Sequence, residues 1–118
     1  MIIELNELSE RSPIIVEGLR DRQALLALGI EGDVLILNRG SPILDFCQEV
    51  SEVHEEVILL TDWDKKGGQI GKKIREALES LDVKVNTEIR RRLAHLSGKV
   101  ISTVEEMDKY LDYLRTSS

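Results

Sequence analysis

Aromatic side chains are nearly missing from this chain of 118 residues, which has one Trp, one Phe and two Tyr. Its core must therefore be aliphatic, and a surface that binds nucleic-acid bases mainly by stacking is not expected. A single cysteine, Cys47, excludes an internal disulfide and any multi-cysteine zinc site within the chain. A reducing, cytoplasmic location is the expectation. The opening MIIELNELSE has no basic leader, and no apolar run comes near the roughly 20 residues that a membrane span needs. A soluble protein with no membrane partner is expected.

Positive charge is also scarce overall, with 16 basic against 22 acidic residues and a net charge of −6. That balance argues against strong, unaided binding to a polyanion. The average conceals an asymmetry. Residues 1–60 carry 4 basic and 12 acidic side chains, whereas residues 61–99 carry 10 basic and 6 acidic. Any phosphate-facing surface is expected in the second stretch.

What the chain does have is short β-branched runs. Ile14 to Val16, Val34 to Leu37 and Val57 to Leu60 are apolar without alternation, as in strands buried on both faces of a parallel sheet, and Val83 to Val85 is a weaker fourth. Stretches of helical period lie between them: Ala24, Leu25 and Leu28; Ile43, Cys47, Val50 and Val53; Ile70, Ile74, Ala77, Leu78 and Leu81. Asp21 is placed to cap the first of these helices, and Ser41 with Pro42 reads as the start of the second. Two helices follow, one carrying Ile89, Leu93 and Leu96, the other opening on a Thr103/Glu106 capping box ahead of Val104, Met107, Leu111 and Leu114. The pattern predicts one domain with a three-layer α/β/α fold and a mainly parallel sheet of about four strands. Its core spans about residues 13–85, and 86–115 form a helical elaboration.

Ligands of such sheets bind beyond the carboxyl ends of the strands, where the strand order reverses. Glu17 ends the first strand and Asp62 the third. In the order 2-1-3 these strands are neighbours, so Glu17, Asp62 and Asp64 converge on one crevice. Carboxylates crowded together repel unless a cation lies among them. Mg²⁺, or Mn²⁺ in its place, suits such a site because it takes one or two carboxylates and shares its remaining positions with water and phosphates. Around the crevice, Gly67 and Gly68 allow close backbone approach, and Gly18 and Gly40 keep the rim open. Lys65, Lys66, Lys72 and Lys73 give the following turn and helix a positive character.

With those residues in view, IIVEGLRD at 14–21 followed by LLTDWDKKG at 59–67 resembles the Toprim domain, the topoisomerase–primase catalytic module. The Glu-Gly after the first strand and the Asp-x-Asp after the third carry the likeness, which covers most of residues 13–85. NRGS at 38–41 is similar to a turn of the ribosomal-RNA maturation nucleases. The resemblance implies Mg²⁺-dependent nucleotidyl transfer or phosphodiester cleavage, with Glu17 as general acid or base and Asp62 and Asp64 as metal ligands. It also implies a nucleic-acid partner, DNA or RNA, held weakly by this chain alone, and a further protein to supply substrate grip. Trp63 departs from the proline of many relatives, and no strand-passing, ATPase or separate RNA-binding unit is expected within these residues.

Other readings stand beside this one. A Toprim module that binds without chemistry predicts the same site, and a receiver-like phosphoacceptor shares the length and the acids at the first and third strand ends. Three other motifs fail on spacing or on residue type. DWDKKG lacks EF-hand ligands at its fifth and twelfth positions, GGQIGKK misses the P-loop, and HEEVI is not a zinc-protease helix. The RRR at 90–92 fans out over about 200 degrees of a helix and reads as a solvated face.

Overall fold

A computed structural model describes residues 1–37, 40–97 and 104–105. The elements run α1 (Ile2–Ser9), β1 (Ile14–Val16), α2 (Leu19–Ala27), β2 (Val34–Ile36), α3 (Ile43–Val53), β3 (Glu56–Leu59), α4 (Lys65–Ser80), β4 (Lys84–Asn86) and α5 (Glu88–Ser97). The four strands form one all-parallel sheet in the order β2-β1-β3-β4. Ile14 lies opposite Val34 on one side and Ile58 on the other, which fixes the register of the central strand.

The alternation of side chains along the strands divides the core into two apolar layers. Ile14, Val16, Ile58 and Leu60 face α1, α2 and α5, packing with Ile2, Leu5, Leu25, Leu28, Ile89 and Leu93. Ile15, Val57 and Leu59 point the other way, against Phe46, Cys47 and Val50 of α3 and Ile74, Ala77 and Leu78 of α4. The result is a three-layer α/β/α fold. Because every β1 residue is fully buried, both faces had to be apolar, which is why the run shows no polar alternation.

The structure revises several local expectations. A helix, α1, precedes the first strand and buries Ile2 and Leu5. The second crossover helix begins at Ile43 after Pro42, with no side-chain cap, so Ser41 does not start it. Val53, expected in the core, is exposed, and Phe46 takes the buried position. α2 is capped at Gly18, whose N–H donates to Asp21 Oδ2 at 2.9 Å, so Asp21 completes the cap from three residues inside the helix. α5 is an integral wall of the core, with Ile89 and Leu93 fully buried. The Leu96 side chain and, apart from Val104, the named positions of the final helix (Thr103, Glu106, Met107, Leu111 and Leu114) lie outside the described residues.

Candidate functional site

The reversal of strand order falls between β1 and β3, and the chain leaves both strands toward the same crevice. Glu17, the residue after β1, is buried, and its Oε2 accepts the Asp62 N–H at 3.0 Å. Past β3, buried Leu60 and Thr61 lead to Asp62. Asp62 Oδ1 accepts the Val104 N–H at 2.8 Å, and its carboxyl also hydrogen-bonds to Glu17. Burial first, then that bond and the charges of Asp21 and Glu17, push the Asp62 carboxyl up to about 7 against the downward pull of the Val104 N–H. Two acids 45 residues apart in sequence thus lie at one point of the fold, and one of them holds a proton far above the usual carboxylate range.

Asp64 sits differently. It is exposed and caps α4, with Oδ1 accepting the Gly67 N–H at 2.7 Å. Among the described residues, no three His, Cys, Asp or Glu side chains are grouped so as to hold a metal ion. The donor chemistry nonetheless fits a hard divalent cation. Burial, the bond to Glu17 and the charges of Asp21 and Glu17 favour a proton on Asp62, and a cation in the proton's place would oppose the same negative charge. Mg²⁺ needs only one or two protein carboxylates, since water fills its remaining positions.

A cavity of about 830 Å³ opens at this point, lined by Glu17, Gly18, Asp21, Asp62 and, from the C-terminal side, Glu105. Glu105 lies 3.7 Å from Arg20 across the mouth. Val104, fully buried, inserts into the same core layer as Ile89 and Leu93. Trp63 packs against that layer as well, which gives it a place in the fold.

The glycines divide by role. Gly18 lines the crevice. Gly67 is buried, and a side chain there would meet the Asp62 carbonyl oxygen at 2.0 Å, so the close approach it permits is to the protein's own backbone. Thr61 Oγ1 donates to the Gly67 carbonyl at 3.1 Å, tying the loop to the first turn of α4. Gly40 is exposed and is not among the residues lining the crevice, and its neighbours Asn38 and Arg39 lie outside the described residues. Lys65, Lys66, Lys72 and Lys73 are exposed along α4, while Gly68 and Lys72 line a different cavity.

Arg90 is a site residue that the solvated-face reading of the triple arginine misplaces. Half-buried, it donates from Nε to the Thr61 carbonyl at 2.9 Å and from Nη2 to the Asp62 carbonyl at 2.7 Å. Burial draws its pKa below the ordinary value, opposed by the charges of Glu17, Asp62 and Asp64. Arg92 also turns inward, to Glu4 of α1 at 2.5 Å, whereas Arg91 pairs with Glu88 at the surface. No local signal separates the three. Only the sequence distance between 90 and 62, closed by the fold, tells them apart.

Fold and site together define a parallel α/β protein with an acidic crevice at its switch point. The chain is 34% identical to a UPF0292 protein of Methanosarcina acetivorans in an alignment spanning all of this chain and 82% of the relative. It is 38% identical to a UPF0292 protein of Methanocaldococcus jannaschii over 95% of this chain and 88% of that one. This chain belongs to the UPF0292 family. A solved structure of an Aquifex aeolicus protein is similar, with a TM-score of 0.78 and 33% identity, covering 89% of this chain and 93% of that one. No family model matches the chain.

Proposed function

We propose that this protein is a Toprim-type enzyme acting on phosphodiester bonds of nucleic acid, DNA or RNA, with Mg²⁺ or Mn²⁺. The observation that supports it most is the contact of Glu17 with Asp62 at the carboxyl ends of adjacent parallel strands, where Asp62 holds its proton up to about 7. Glu17 and Asp62 would hold the ion, which when bound supplies positive charge beside the phosphoryl oxygens, while Asp64 caps α4. Glu17 would accept the proton of the attacking water. Arg90, fixed on the Thr61 and Asp62 carbonyls, holds the acidic loop in place and adds a fixed positive charge beside it.

The test is divalent-cation-dependent cleavage of a pool of DNA and RNA structures, with Glu17→Gln as control. Cleavage by the wild type and a loss of about 100-fold or more in the variant are expected for a proton-transfer group. Wild-type rates in Glu17→Gln would remove the proposal. A second reading, a binding module that works within a larger complex, draws support from Asp64, which spends one carboxylate oxygen on capping α4. It predicts cation-dependent binding without turnover. The cytoplasm is the proposed location.

A further inference from the structure

A second cavity, of about 380 Å³, lies between α4 and α5. Lys72 and Arg75 enter it from α4, Arg90 and Arg91 from α5, with Thr87 at one end, and no acidic residue is among those lining it. Four cations thus gather at one place in a chain whose net charge is −6. Arg90 belongs both to this groove and, through its bonds to the Thr61 and Asp62 carbonyls, to the rim of the acidic crevice.

Gly68 and Gly71 form part of the α4 side of the groove. At Gly71 the space for a side chain is taken by Thr61 Oγ1, 2.7 Å from where a Cβ would stand, and at Gly68 a Cβ would meet Arg90 Nη2 at 3.7 Å. Lys72, Arg75 and Arg91 hold partners at rest: Glu76 at 4.0 Å, Glu79 at 3.4 Å and Glu88 at 2.5 Å. The Lys72 and Arg75 pairs are single, exposed contacts one helical turn apart, which contribute little; Arg91 holds Glu88 through both Nε and Nη2, so a phosphate entering there competes with that carboxylate. None of the lining residues is aromatic, so the groove offers charge and hydrogen bonds with no platform for bases.

We infer that this groove binds the sugar–phosphate backbone of a nucleic-acid strand without regard to base sequence, and delivers a neighbouring phosphodiester past Arg90 to the acidic crevice. The inference rests on the phosphodiester reading of that crevice for its direction, but the binding itself is measured separately. Labelled single- and double-stranded DNA and RNA are titrated with the full chain in EDTA, across a salt series, so that no chemistry contributes. The wild type should bind with a steep salt dependence, and Arg75→Glu with Arg91→Glu should weaken it by about tenfold or more and lower the salt slope by about 1.5. The DNA and RNA arms identify which backbone is preferred. The control is Arg11→Glu with Lys84→Glu, which makes the same change in net charge before β1 and at the start of β4, at the amino-terminal ends of the strands and away from the groove. Equal losses in the two double variants, or no binding by the wild type, would overturn the proposal. Should the glutamate variant unfold, Arg75→Gln with Arg91→Gln asks the same question. Binding through the groove without cleavage would leave the groove and remove the enzyme reading; cleavage without groove-dependent binding would do the reverse.

Discussion

Asparagine at position 62 should make the metal-free protein more stable, and increasingly so as pH rises. The substitution keeps an oxygen to accept the Val104 N–H, bonded at 2.8 Å in the wild type, and removes the ionising group. A carboxyl at about 7 in the folded chain, against 3.8 as its ordinary value, binds its proton more tightly folded than unfolded. The wild type should therefore keep full stability below about pH 4 and lose it as pH climbs toward about 7, the reverse of an ion-paired aspartate. Taken at face value the difference is about 4 kcal/mol. Water reaching a half-buried group cuts this to about 2 kcal/mol. For a domain of this size that is roughly 6 to 10 °C in Tm. Thermal unfolding of both proteins in EDTA, from pH 4 to pH 8, measures the gap. It should be near zero at the acid end and favour Asp62→Asn at the alkaline end, and Mg²⁺ at pH 8 should narrow it by raising the wild type alone. A gap that does not change with pH, or one that favours the wild type at pH 8, would refute the account of the crevice.

The pairing of Glu17 with Asp62 was legible because parallel topology leaves little freedom: once 14–16 and 57–60 read as buried strands, the residues after them have one edge to occupy. Strand boundaries moved by only a residue, as with β3, which begins at Glu56. Asp64 shows a different lesson. Asp three residues before Gly at a helix start is a strong local capping signal, and the appeal of Asp-x-Asp as a ligand pair passed over it. Gly67 reads as room for a ligand, yet its lack of a side chain is required by the protein's own Asp62 carbonyl, a fact that spacing cannot carry. Helix α1 escaped because Ile3 is 75% exposed beside buried Ile2 and Leu5, which blurs the apolar stripe over only eight residues. Arg90 and Arg92 could not be told from Arg91 because their partners are supplied by the Thr61–Asp62 loop and by α1, far along the chain.

Two further substitutions probe the packing around the crevice. Arg90→Gln should cost about 1–3 kcal/mol in urea unfolding, because it strips a charged donor from the Thr61 and Asp62 carbonyls; unchanged stability would mean that those bonds contribute nothing. Gly71→Ala offers a test that turns on sign. Inside α4, alanine is favoured over glycine by about 0.5–1 kcal/mol, but here the new Cβ would stand 2.7 Å from Thr61 Oγ1, and overpacking of that kind costs about 1–3 kcal/mol. Destabilisation should therefore win in the wild-type background. Thr61→Ala removes the clashing oxygen and leaves the residue's Cβ at an ordinary 3.9 Å, so in that background the same Gly71→Ala change should become stabilising. The bond that Thr61 Oγ1 gives to the Gly67 carbonyl is missing from both proteins of the Thr61→Ala arm, so its loss cancels when Gly71→Ala is measured within that arm. If Gly71→Ala has the same sign and size in the two backgrounds, the glycine is not held by Thr61, and the account of how the acidic loop is seated on α4 fails with it.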